Sequence, residues 1–167
     1  MNLPNALTSS RILLLILFIL FHYLNLPWLA LAMIILAGLS DALDGIVARE
    51  KNKVTDFGIF YDQFVDKIFV IIALLYFVSI DYLGFILAAL LIFRELAMTV
   101  LRNKYKKKKN ISPLISGKIK MVLQMVLLGT LCLVSVHLIF LQISFWLAIL
   151  TLILSYYSFI RMWIKLA

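Results

Sequence analysis

Cysteine is almost missing from this chain: Cys132 is the only one. A single thiol excludes an intrachain disulfide and a cysteine-based metal site, and leaves Cys132 as a small apolar filler. Acid is scarce too, with 8 Asp and Glu against 16 Lys and Arg. No proline- or serine-rich linker marks a boundary and no internal repeat is visible, so residues 1–167 read as a single domain. What remains is mostly apolar. The chain is 65% hydrophobic, with a mean hydropathy of +1.09. A soluble domain of this length is about half apolar, so the composition points to an integral membrane protein.

A transmembrane helix takes roughly 20 residues, which leaves room for six spans and no soluble domain. The spans are expected at 11–24, 28–49, 58–80, 82–103, 116–136 and 139–163. Ahead of them, "NLPNALTSSR" reads as a short interfacial helix, with Pro4 suited to its first turn. The apolar run Ile12–Phe21 is followed by no A-x-A-like cleavage site and reads as a retained first span. The expected fold class is therefore all-α: a polytopic membrane protein of six transmembrane helices with a short N-terminal interfacial helix.

A formal charge of +8 in a soluble protein would suggest a nucleic-acid partner. Here the basic residues flank apolar segments, so no nucleic acid is implied. Arg49, Lys51 and Lys53 follow span two; Arg102, Lys104 and Lys106 to Lys109 follow span four; Arg161 and Lys165 close span six. The turns near Asn25, Asp81 and His137 hold no Lys or Arg. By the positive-inside rule both termini are cytoplasmic in a multi-pass protein of the cell membrane. The lysine run reads as topology and attraction to anionic lipid. His22 and His137 then fall at the opposite membrane face and read as interfacial residues.

One stretch breaks the pattern. "DALDGIVAREKNKVTDFGIFYDQFVD", residues 41–66, gathers five aspartates beside Arg49. Asp41 and Asp44 are three apart at the end of span two. Gly58, Asp62 and Asp66 are spaced by four on one face of span three. A short connection makes the two helices antiparallel neighbours, so four carboxylates can converge on the cytoplasmic side. Unpaired, they would cost several kcal/mol each in lipid and would repel one another. Divalent cations with a phosphate-bearing ligand would offset that, because Mg²⁺ prefers carboxylates together with phosphate oxygens. An ion or proton pathway is the rival reading of intramembrane acids. Glu50 and Asp56 read as loop residues.

The spacing Asp41-x2-Asp44-Gly45-x2-Ala48-Arg49-x8-Gly58-x3-Asp62-x3-Asp66 resembles the signature of the CDP-alcohol phosphatidyltransferase family at eight positions with every gap intact. The resemblance implies a membrane enzyme that transfers a phosphatidyl group from CDP-diacylglycerol to an alcohol and releases CMP. It implies that Asp41, Asp44, Asp62 and Asp66 hold two divalent cations, Mg²⁺ or Mn²⁺. It assigns Asp66 as general base, and Gly45, Ala48, Arg49 and Gly58, with Asn5 and Thr8, to the CDP pocket. It also implies a homodimer.

Three further segments, "NLPNALTSSRI", "FRELAMTVLR" and "SGKIKMVLQM", resemble the phosphatidylglycerophosphate synthase branch of that family. This implies glycerol 3-phosphate as acceptor. An anionic acceptor would also explain cations inside apolar spans: Arg94 and, eight residues on, Arg102 in span four, with Lys118 and Lys120 opening span five. Snorkelling to the interface is the alternative for the two lysines, and Glu95 is a candidate partner for Arg94 or another cation. The chain departs from that branch at Gln63, Val65 and Met121, leaving the aspartates intact. Inositol, inositol phosphate, serine or a phospholipid are the alternative acceptors.

Overall fold

The computed structural model describes residues 3–50, 56–105 and 115–166, with side chains described for 10–40, 65, 67–101 and 119–164. Six α-helices account for nearly all of it: α1 Leu3–Tyr23, α2 Pro27–Glu50, α3 Asp56–Ser79, α4 Phe85–Tyr105, α5 Ile115–Cys132 and α6 Ile139–Leu166. A 3₁₀ turn, Leu133–Ser135, extends α5. There is no strand among the described residues.

The bounds lie within a few residues of the expected spans, with two differences. The N-terminal interfacial helix is not a separate element; it is the start of α1, which runs unbroken from Leu3. The physical reason is that no residue after Pro4 breaks the helix, so propagation into the apolar run needs no new nucleus. Glu50 and Asp56 are the last residue of α2 and the first of α3 rather than loop.

The turns follow from local chemistry. Asn25 and Asp81 adopt positive φ of 57° and 61°. At the first, Leu26 N–H donates to the Phe21 carbonyl and Asn25 N–H to that of His22. At the second, Tyr82 N–H donates to Phe77 and Asp81 N–H to Val78. Both are Schellman ends, with Asn and Asp in the left-handed position that glycine usually takes. His137 is exposed, and its Nδ1 accepts from the Ile139 N–H at the start of α6. His22 is buried rather than interfacial, because Phe18, Tyr76, Phe77 and Tyr82 close around it and the Tyr76 hydroxyl lies 2.8 Å from its Nδ1.

Packing closes a ring in the order α1, α2, α5, α6, α4, α3 and back to α1. The described parts of α2 and α3 pack chiefly on α1; the side chains through which the two were expected to pair directly lie outside the described residues. Phe18, Leu74, Phe77, Leu127, Leu128 and Leu131 fill the centre, with Cys132 as the small buried filler expected. Gly129 lets α5 approach α2: a Cβ there would stand 3.1 Å from Leu31 Cδ1.

The sixth helix shows how the bundle meets its surroundings. Its buried face is Ser144, Ala148, Thr151, Ser155, Ser158 and Met162, at alternating spacings of four and three. Several of these hydroxyls donate to carbonyls of their own helix: Ser144 to Phe140, Thr151 to Leu147 and Ser158 to Leu154. Its outer face is Phe145, Trp146, Leu150, Ile153, Ile160, Trp163 and Ile164, all exposed. Small and hydroxylated inside with large and apolar outside is the reverse of a helix in water and the usual arrangement in lipid. Among the described residues one stretch, Ile139–Ile164, is long and apolar enough to cross a membrane; shorter apolar helices are Ser10–Tyr23, Pro27–Ser40, Lys67–Ser79 and Ile119–Ser135.

Candidate functional site

The aspartate positions sit on continuous helix. Asp41, Asp44, Gly45, Ala48 and Arg49 belong to the last turns of α2, and Gly58, Asp62 and Asp66 to the first turns of α3. Asn5 and Thr8 are in the first turns of α1, the helix on which α2 and α3 both pack. Arg102 is near the end of α4 and Lys118 in the first turn of α5. The side chains of all these positions lie outside the described residues. The helical backbone keeps the spacings of three and four that the sequence implied, and four carboxylates supply the hard oxygen donors that suit Mg²⁺ or Mn²⁺. Among the described residues no other group of three or more His, Cys, Asp or Glu could hold a metal.

Two of the expected acceptor residues are described, and they meet. Arg94 is 4% exposed and Lys120 6%. Glu95 Oε1 accepts from Arg94 Nη1 at 3.2 Å and also from Lys120 Nζ. Arg94 Nε donates to the Ser155 carbonyl of α6 at 2.9 Å. The cluster thus ties α4, α5 and α6 together. Arg94 is fixed from two sides, and Lys120 is held inward rather than snorkelling. Glu95 thus pairs with both cations, and three formal charges buried in an apolar bundle are costly. Val65, one of the departures from the synthase branch, is buried in the core at 2% exposure.

Residues that composition did not single out also emerge. Arg11 is 2% exposed on α1 and Gln124 is 3% exposed on α5. The available signal was a polar residue set in an apolar run. A wider groove of about 560 Å³, walled by Tyr82, Leu87, Phe145 and Trp146, lies where α4 and α6 begin, away from these groups.

The CDP-alcohol phosphatidyltransferase family matches residues 1–163. The chain is 33% identical over 138 residues to the CDP-diacylglycerol–glycerol-3-phosphate 3-phosphatidyltransferase of Escherichia coli K12, covering 78% of this chain and 76% of that protein. Proteins of the same name from Shigella flexneri and Shigella boydii match to the same extent. The ion-pathway reading of the aspartates gives way to this match. The chain belongs to the CDP-alcohol phosphatidyltransferase family, and is accordingly a phosphatidyltransferase of phospholipid biosynthesis.

Proposed function

We propose that the chain transfers the phosphatidyl group of CDP-diacylglycerol to glycerol 3-phosphate, forming phosphatidylglycerophosphate and releasing CMP. The observation that carries this acceptor is the buried Arg94–Glu95–Lys120 cluster, whose guanidinium and ammonium donors are of the kind that receive a phosphate. An uncharged alcohol gives no reason for it. The name of the Escherichia coli relative, with glycerol 3-phosphate as its acceptor, supports the same choice.

In this reading Asp41, Asp44, Asp62 and Asp66 hold two divalent cations, which when bound offset the charge on the phosphoryl oxygens and on departing CMP. Arg49 pairs with the diphosphate, while Gly45, Ala48 and Gly58 leave room for the cytidine ring, with Asn5 and Thr8 beside it. Arg94, Arg102, Lys118 and Lys120 hold the acceptor phosphate and so aim its free primary hydroxyl. Asp66 takes the proton from that hydroxyl. The oxygen attacks the lipid-side phosphorus, the bond from that phosphorus to the bridging oxygen breaks, and CMP leaves with the electron pair. All six helices cross the bilayer, both termini and the site are cytoplasmic, and the working form is a homodimer.

An acceptor panel with labelled CDP-diacylglycerol tests the reading. Glycerol 3-phosphate is expected to give labelled phosphatidylglycerophosphate. Equal or faster CMP release with inositol or serine would overturn it. Inositol phosphate is the second reading, because it keeps the phosphate and the departures at Gln63, Val65 and Met121 separate this chain from the synthase branch.

A further inference from the structure

A cavity of about 40 Å³ lies between α1, α2, α3 and α5, lined in part by Arg11, Ala37, Phe69, Val70, Met121 and Gln124. Its depth follows from the helices. Ala37 is four residues before Asp41 on α2, and Phe69 and Val70 are three and four after Asp66 on α3. The two helices run in opposite directions from their short connection, so both offsets point away from it. The cavity is therefore about one turn, or ~5 Å, deeper than the aspartate positions.

The polar lining offers hydrogen-bond donors from Arg11 and from the Gln124 amide nitrogen. The Arg11 guanidinium carries only N–H groups. Gln124 Nε2 is buried and has no hydrogen-bond partner among the described residues. A buried amide left this way costs about 1–3 kcal/mol, so the site is built to receive an oxygen acceptor. Met121, at the rim, is 42% exposed and links the cavity to the flank of α5. The volume admits a group of a few atoms, which is too little for a nucleoside or a sugar.

We propose that Gln124, beside Arg11, receives an ester carbonyl of the donor lipid. This rests on the reading above that CDP-diacylglycerol is the donor. An ester carbonyl only accepts hydrogen bonds, it is small, and it lies on the lipid side of the diphosphate. A donor whose phosphates sit at the aspartates carries its ester groups deeper into the bundle, toward this cavity. The acyl chain would reach lipid past Met121, the exposed residue of the lining. A donor phosphate oxygen shares the acceptor chemistry, and the test separates the two.

The test compares CMP release from CDP-diacylglycerol and from its dialkyl ether analogue, which keeps the phosphates and both chains but has no ester carbonyl. Wild-type protein is expected to use the ether donor with kcat/KM about tenfold lower, chiefly through KM. Gln124→Met, similar in size and without the amide, brings the ester-to-ether ratio near one. Met121→Leu, an apolar change in the same wall, keeps the ratio. Equal use of both donors by the wild type overturns the proposal without recourse to any variant. A ratio that survives in Gln124→Met overturns it too, and assigns the amide to a phosphate oxygen or to packing. The ratio is read with whatever alcohol the enzyme accepts, so an error in the acceptor does not disturb it.

Discussion

Two buried polar groups sit in the same apolar bundle and differ in kind. Where α1 and α3 end, His22 and Tyr76 share one hydrogen bond inside a box of aromatic rings. Between α4, α5 and α6, Arg94, Glu95 and Lys120 bring three formal charges together. A neutral pair of this sort contributes about 1 kcal/mol net, and the atom it leaves without a partner among the described residues, His22 Nε2, belongs to a group with no obligatory charge. Burying an ion costs several kcal/mol after relaxation, and apolar residues would hold three helices together at lower cost. The first group is explained by packing. The second is what the proposed anionic acceptor would explain.

The comparison can be broken most sharply at the aspartates. Removal of divalent metal with a chelator is expected to abolish CMP release, and added Mg²⁺ or Mn²⁺ to restore it. Asp66→Asn is expected to lower kcat by about a thousandfold; wild-type turnover in that variant would refute the base assignment. The next largest effect belongs to the charged cluster. Glu95→Gln leaves two buried cations without their shared carboxylate. It should lower stability by about 3 kcal/mol and raise KM for glycerol 3-phosphate about tenfold while the donor KM stays put. Thermal unfolding and initial-rate kinetics on the same preparation separate the two effects. The neutral group should respond only in stability. Tyr76→Phe removes one hydrogen bond for about 1 kcal/mol, and a shift in either KM would mean that the contrast between the two groups is false. Asp56→Asn should matter least, changing stability by about 0.5 kcal/mol through the α3 dipole and leaving CMP release as in the wild type.

Much of the fold was legible before the structure. The apolar runs end at Asn25 and Asp81, which can take the left-handed position that closes a helix, so the helix bounds were close. The aspartate spacing was legible for the same reason: three and four residues define a face wherever a helix forms. The join of the interfacial segment to α1 was not, because it depends on a breaker being absent rather than on any residue present. His22 was misplaced because a histidine at a helix end reads alike whether it meets water or an aromatic box. Gln124 was passed over because an amide in an apolar run reads alike whether it faces lipid, a neighbour or a cavity.

Local sequence determined the family, the number of helices, the positions of the turns and the order of the four aspartates, since each depends on residues close in the chain. Tertiary packing alone decided the ring order, the burial of Arg11 and Gln124 around one cavity, and the sharing of Glu95 by Arg94 and by Lys120, which lies 25 residues away. Those contacts are set by how whole helix faces fit together, and small residues such as Gly129 and Ser155 govern that fit from positions far from the groups they bring into contact.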